Sequence, residues 1–401
     1  MRLFSDHDRG DPEPASYSEP LYPYLDRAGG EYWALLRSLA QLWADKFPID
    51  RSWLGRFSSA DNRQHFAAFW ELYLATVYRQ VGFDVQWMET DDLRKAGRTP
   101  DFLITNGDEF ILEATTANET PEQLGEDRRL QGVLDLLNTI DIPNFWLWPR
   151  IVTAGDRQPA TAKLRQELEN WTDSLDPDST DTKLSHEPDS LSRPSFYWEF
   201  EGWKIEFAVV PKPAEARGDP STRPIGLFGP NSARAIDEVT PLRNALARKS
   251  PSNYHDVVEG RPYVIALSSH RTWAFDTSLD QRIANALYGQ EVFRFSQTRD
   301  GQTAVQPDRR QDGFWVDEDG PANTRVSAVL IVNNLWIGDV TSKTPTLWVN
   351  PWSDFPLQDK RPWRTALPVE GEVQFHDPPT PLHNVLGLEE DWPGVDPFPT
   401  N

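Results

Sequence analysis

Glu71, Asp101 and Glu113 are the residues of this chain whose types and spacing suit chemistry. The first falls in a helical stretch, FWELYLATVYRQ. The second follows Pro100 at the head of a strand-like run, PDFLIT, and the third lies within another, EFILEATT. Carboxylates offered by three neighbouring elements can converge on one point. A hard divalent ion such as Mg²⁺ takes oxygen ligands in near-octahedral geometry and keeps several waters, so such a convergence suits metal-assisted hydrolysis of a phosphodiester.

Whether the three can meet depends on the elements that carry them. Residues 61–80 present Phe66, Phe69, Trp70, Tyr73 and Val77 at helical spacing, with Gly82 just past the end. Glu71 sits on a flank of that helix with Ala67, Leu74 and Tyr78, at the border of the buried surface. The period then changes to that of strands at 83–88, 100–105 and 109–116. In a hairpin, residues directly opposite share a face, and each step along a strand changes face. A two-residue turn at Asn106-Gly107 would set Asp101 opposite Leu112 and send Glu113 to the other side. A shared site needs Asp101 opposite Glu113, hence an odd loop of three or five residues centred on Gly107, whose lack of a side chain permits left-handed backbone. Thr115 then lies beside Glu113 on the same face.

The rest of the chain reads as α/β. A polar, Pro-rich arm of about thirty residues leads to a helix at about 31–46. Pro121 starts a helix reaching about 138, followed by the strand-like NFWLWPRIV and a hairpin of SFYWEF and WKIEFAVV joined at Glu201-Gly202. Residues 172–195, poor in apolar side chains, read as a disordered insertion. A helix at about 232–249, the strand PYVIALSS, a helix ending at Gly289, and the strands VSAVLIV and TLWVN follow. The expected divisions are an arm and helix at 1–60, a core at 61–290, a strand extension at 291–365 and an acidic, Pro-rich tail at 366–401 that docks through Leu388 and Trp392.

Composition narrows the function classes. The chain has 401 residues, 17 Trp and 12% aromatics, enough apolar surface for a sizeable core, and Trp70, Trp203, Trp348 and Trp352 are expected to pack within it. Without cysteine there is no disulfide, thiolate nucleophile or Cys-ligated zinc. The seven histidines form no HExxH or close pair, and His65 reads as structural. Phosphate-binding Gly-rich loops and the GxSxG turn are missing, which disfavours NTPases, dinucleotide enzymes and serine hydrolases of those types. No apolar run is long enough for a membrane span or a secretory signal, so a cytoplasmic protein is expected. With 40 basic and 62 acidic residues the net charge is −22, which repels polyphosphate at long range. Any nucleic-acid surface must be a local basic patch, such as Arg128 and Arg129, Arg248 and Lys249, or Arg94, Lys95 and Arg98.

The order of helix with Glu71, strand, Pro100-Asp101 strand, Glu113 strand, helix and strand resembles the αβββαβ core of the PD-(D/E)XK nucleases, the restriction-endonuclease-like superfamily. More narrowly, FWELYLATVYRQVGFDV, TPDFLI, FILEATTA, ALARKSPSNY leading into PYVIALSS, ALYG and LWVNPWSDFPL resemble a group of bacterial proteins assigned to that superfamily, over most of residues 61–357. The resemblance implies a mixed sheet flanked by helices, Glu71 as the helix carboxylate, Asp101 as the metal-ligating Asp, Glu113 as the second strand carboxylate, Mg²⁺ or Mn²⁺ as cofactor, and nucleic acid, DNA in preference to RNA, as substrate, in bacterial defence or repair.

One departure matters. The family's third motif ends in Lys, which orients the attacking water and stabilises phosphate charge, whereas this chain has Thr115. Loss of one preorganised stabiliser costs about 10²–10³ in rate. Some members of the superfamily carry the cation on a neighbouring element, so Lys249, on the helix before the next core strand, is the expected replacement, with Lys95 as the other candidate. The competing expectation is a catalytically inactive module on the same scaffold, binding nucleic acid or a protein partner.

Overall fold

The computed structural model describes residues 1–10, 13–48, 50–88, 99–117, 121–180, 194–219, 223–225, 239–249, 251–254, 258, 260–270, 279–297 and 303–395. The chain opens with four helices, α1 (Leu21–Arg27), α2 (Glu31–Ala44), α3 (Arg51–Phe57) and α4 (Asn62–Gln80). Asp50 caps α3 by accepting from the Trp53 amide at 2.6 Å, and Asp61 caps α4 through the Arg63 amide at 3.0 Å. Three strands follow, β1 (Asp84–Trp87), β2 (Phe102–Thr105) and β3 (Phe110–Ala117). Next come α5 (Pro121–Leu137), β4 (Phe145–Thr153), α6 (Thr161–Asp173), β5 (Ser195–Phe200) and β6 (Trp203–Pro211). Then α7 (Val239–Arg248), β7 (Tyr263–Ser269) and α8 (Leu279–Tyr288) lead to β8 (Glu291–Gln297), β9 (Thr303–Arg309), β10 (Val316–Asp317) and β11 (Gly320–Pro321). The chain ends with β12 (Ala328–Asn333), β13 (Thr346–Val349), β14 (Arg364–Val369), β15 (Glu372–His376) and α9 (Leu382–Leu386).

The main sheet is mixed and eight-stranded, in the order β1-β2-β3-β7-β12-β13-β14-β15. β1, β2 and β3 form an antiparallel meander, while β7 lies parallel to both β3 and β12. Those central strands are covered on both faces, which is why they are nearly unbroken apolar runs instead of alternating ones. Phe110, Leu112, Ala114, Val264, Ala266 and Leu330 face a core shared with α1–α4. Ile111, Ala117, Ile265, Leu267 and Val329 face a second core with α7 and α8. α4 is buried nearly all round, since α3 and α2 cover the side turned away from the sheet. The Trp70 indole N–H donates to the Ala266 carbonyl at 3.0 Å and so fixes α4 over β7.

A third core belongs to α5, α6 and the small antiparallel sheet β4-β6-β5. The β5–β6 link is the tight turn expected, with Glu201 at φ 47° and Gly202 at φ 83°. Trp70, Trp203 and Trp348 are core residues as expected, whereas Trp352 is exposed.

Several expectations fail locally. Residues 172–180 are not disordered: α6 runs to Asp173 with Thr172 buried, and 177–180 are helical; residues 181–193 of that expected insertion lie outside the described residues. The first sixty residues hold α1 and α3 besides the expected helix, and Leu3 is buried. Beyond 366 the chain still forms β15 and α9, with Leu388 and Trp392 packed against the first core. No described helix is long and apolar enough to cross a membrane.

His65 is structural, as its sequence context suggests. It is buried in α4, and its Nδ1–H donates to the Phe57 carbonyl at 2.5 Å, which ties α3 to α4. Burial pushes its imidazole down from 6.5 to about 4. His270, stacked on Phe66 with ring centroids 3.7 Å apart, is pushed to about 3 by burial and then by the charges of His65 and Lys343. Both histidines bind protons more weakly folded than unfolded, so the stability present above pH 6.5 is lost as pH falls toward 4. Urea unfolding midpoints measured from pH 7.5 to 4.5 should fall more steeply in the parent than in a His65→Gln/His270→Gln double variant. Equal slopes would contradict the assignment.

Candidate active site

The β2–β3 ladder pairs Phe102 with Leu112, Leu103 with Ile111 and Ile104 with Phe110. In this register the next opposed pair is Asp101 and Glu113, and the loop between Ile104 and Phe110 has five residues centred on Gly107. The left-handed residue of the loop is Asn106, at φ 67°, instead of the glycine. Gly107 serves close packing: a Cβ there would stand 2.8 Å from the Phe83 ring.

Beyond Phe102–Leu112 the strands part, because β3 continues beside β7 as far as Ala117 while β2 has ended. At this fork the two carboxylates take over from the backbone. The Asp101 amide donates to Glu113 Oε2 at 3.1 Å, and the Ala114 amide donates to Asp101 Oδ2 at 2.6 Å. Each acid is therefore oriented by the other strand, and amides that the fork would leave unpaired are satisfied by charge-assisted bonds. Asp101 is 6% and Glu113 2% exposed. Leu103 and Ile111 pack in the second core, so the alternation of the strands puts Asp101, Glu113 and the half-buried Thr115 on the α7 side of the sheet.

Two donors arrive from the chain that links α7 to β7. Lys249 Nζ, just past the end of α7, donates to Glu113 Oε1 in a salt bridge. Tyr254, from a 3₁₀ turn at Pro251–Tyr254, donates its hydroxyl to the same oxygen at 2.9 Å. Tyr263 at the start of β7 donates to the Lys249 carbonyl at 3.1 Å and so fixes the lysine's backbone. Burial would push the Lys249 ammonium down, but Glu113, then Asp101 and more weakly Glu71, outweigh it and hold the lysine above its ordinary 10.5. Burial and the Glu113 charge push the Tyr263 phenol well above its usual value, so it stays a neutral donor.

Glu71 has a different partner. Arg56 of α3 grips it bidentately, Nη1 to Oε1 at 2.6 Å and Nη2 to Oε2 at 2.8 Å. The expected centre of three carboxylates is thus resolved into a pair, Asp101 with Glu113, and a separate Glu71–Arg56 ion pair. Among the described residues no group of three or more His, Asp or Glu side chains is placed to hold a metal ion. Lys95, with Arg94 and Arg98, lies outside the described residues. Arg129 donates to the Gly155 carbonyl at 2.8 Å.

Arg56 and Tyr254 were not singled out by sequence for any role at the site. Asp50 followed by the apolar Trp53 and Phe57 is a weak signal for α3, yet nothing local pairs Arg56 with Glu71. Tyr254 lies five residues after Lys249, and only the 3₁₀ turn between them shows that both reach one oxygen.

Compared with family models, curated proteins and solved structures, the chain matches none.

Arg56→Ala removes the bidentate guanidinium from the nearly buried Glu71, which should lower stability by about 3 kcal/mol, while Arg56→Ala/Glu71→Gln should recover at least half of that. Urea denaturation of the two variants checks this; equal losses in both would show that the charge pairing is not the stabilising element.

Proposed function

We propose that this protein is a metal-dependent phosphodiesterase acting on nucleic acid, DNA in preference to RNA, on a restriction-endonuclease-like αβββαβ core. The observation that carries the reading is the opposed Asp101–Glu113 pair at the β2–β3 fork with the Lys249 ammonium on Glu113. The order α4, β1, β2, β3, then α7 and β7 with β7 parallel to β3, supports the same reading.

The donor set suits Mg²⁺ or Mn²⁺. Asp101 and Glu113 offer hard, ionisable oxygens at neighbouring positions, and Mg²⁺ is commonly held by one or two carboxylates, waters and substrate phosphate. When bound, such an ion lowers the pKa of a water and neutralises charge on the scissile phosphate. The protein's own residues supply the rest. The Asp101 and Ala114 amides keep the two acids aimed together, so the carboxylates are held in place by backbone donors. Lys249, kept protonated by the surrounding carboxylates, supplies the positive charge that Thr115 cannot and stabilises charge developing on a phosphate oxygen. Glu71, neutralised by Arg56, acts through the local field instead of as a principal ligand. The inactive binding module is the second reading, favoured by Thr115 in the motif position and by the net charge of −22.

Incubation with linear and single-stranded DNA and with RNA, in Mn²⁺ or Mg²⁺, separates the two. Cleavage should require metal and fall at least about 100-fold in Asp101→Asn and Glu113→Gln. Cleavage that persists in both variants would place the activity elsewhere, and retained binding without cleavage by the parent would favour the module.

A further inference from the structure

Glu113 Oε1 receives two donors of different kinds from the two ends of one short connection. Tyr254 is buried and neutral, on a turn braced by Pro251. Lys249 is cationic, on a long flexible stem with its side chain 29% exposed, while Glu113 is buried. The remaining oxygen, Oε2, accepts from the Asp101 amide. Any cation shared by Asp101 and Glu113 therefore meets an oxygen that already has a partner, and only one of these partners is charged and able to swing toward solvent. A backbone amide and a buried phenol stay where the fold holds them; a lysine head can leave.

We propose that Lys249 is a resident counter-ion on Glu113, displaced when a divalent cation binds, while the neutral Tyr254 hydroxyl stays on the same oxygen. The proposal rests on the metal reading of the same site and adds an order of events. Metal entry breaks the Lys249–Glu113 ion pair, and the freed ammonium is then available for substrate phosphate. Before metal binds, the lysine is held on the carboxylate and its charge is engaged there.

The test is Mn²⁺ binding to the 401-residue chain at pH 8, measured by titration calorimetry and by the loss of the free Mn²⁺ electron paramagnetic resonance signal, with no nucleic acid present. Removing a competing cation should tighten Mn²⁺ binding by about tenfold in Lys249→Met. Lys249→Gln should behave alike, and it guards against poor folding of the more apolar variant. Tyr254→Phe, which removes a neutral donor from the same oxygen, should change affinity by less than about threefold. Unchanged or weaker binding in both Lys249 variants, with parent binding abolished by Glu113→Gln, would overturn the exchange while leaving the metal site standing. Tightening by Tyr254→Phe equal to that of Lys249→Met would also overturn it, since charge would then not be the competing property. Absence of Mn²⁺ binding in the parent and in both Lys249 variants would overturn the exchange and the metal reading together. Binding seen only in the Lys249 variants would be its strongest support.

Discussion

The fork where β2 leaves β3 is the constraint on which the rest of the site depends. An antiparallel ladder satisfies its amides strand to strand, and when one strand ends early the other is left with a donor facing a low-dielectric interior. Here the vacancy is filled by two acids in reciprocal fashion, Glu113 accepting from the Asp101 amide and Asp101 accepting from the Ala114 amide. The same bonds that close the ladder concentrate two negative charges at nearly dry positions. The need for compensating cations follows directly.

Compensation comes from two directions and with different consequences. On the α7 side, the Lys249 ammonium serves the Asp101–Glu113 pair, and the carboxylates keep it charged against the pull of burial. On the α4 side, the planar fork of Arg56 fits Glu71 and holds it with both nitrogens, a geometry far less easily exchanged than a single lysine contact. Three acids close enough in field to act on one lysine thus divide into a locked pair and an adaptable one. The helical layer, with His65 joining α3 to α4 and Trp70 joining α4 to β7, keeps Arg56 where that lock is made.

The two strands of the hairpin were legible in the sequence as apolar runs, but their register was not, since the residues of both faces are apolar and burial alone does not choose between an even and an odd loop. The odd loop followed instead from requiring Asp101 opposite Glu113, and the ladder that pairs Phe102 with Leu112 and Ile104 with Phe110 has that register. Which loop residue is left-handed was not legible, since Asn106 and Gly107 both tolerate it; Gly107 owes its place to its φ of 157° together with the packing of Phe83. Lys249 was reachable from its position before the strand of β7. Arg56 was not, because α3 is only seven residues long and its partner lies in another helix. β14 and β15 escaped notice although Glu372–His376 alternates polar and apolar residues, because β15 is a five-residue, largely exposed edge strand whose two apolar side chains, Val373 and Phe375, are a weak signal. The 172–180 stretch is polar by composition, yet α6 reaches Asp173 with Thr172 buried, and residues 177–180 form a further helical turn in which Thr180 is buried.

The most direct measurement of the central claim is anomalous diffraction from crystals of the 401-residue chain equilibrated with Mn²⁺. The account predicts one strong peak between the carboxylates of Asp101 and Glu113, about 2.0–2.3 Å from an oxygen of each, with the Lys249 ammonium withdrawn from Glu113 Oε1. Side chains of Asp101 and Glu113 on opposite faces of the sheet, or a peak that touches neither, would contradict it.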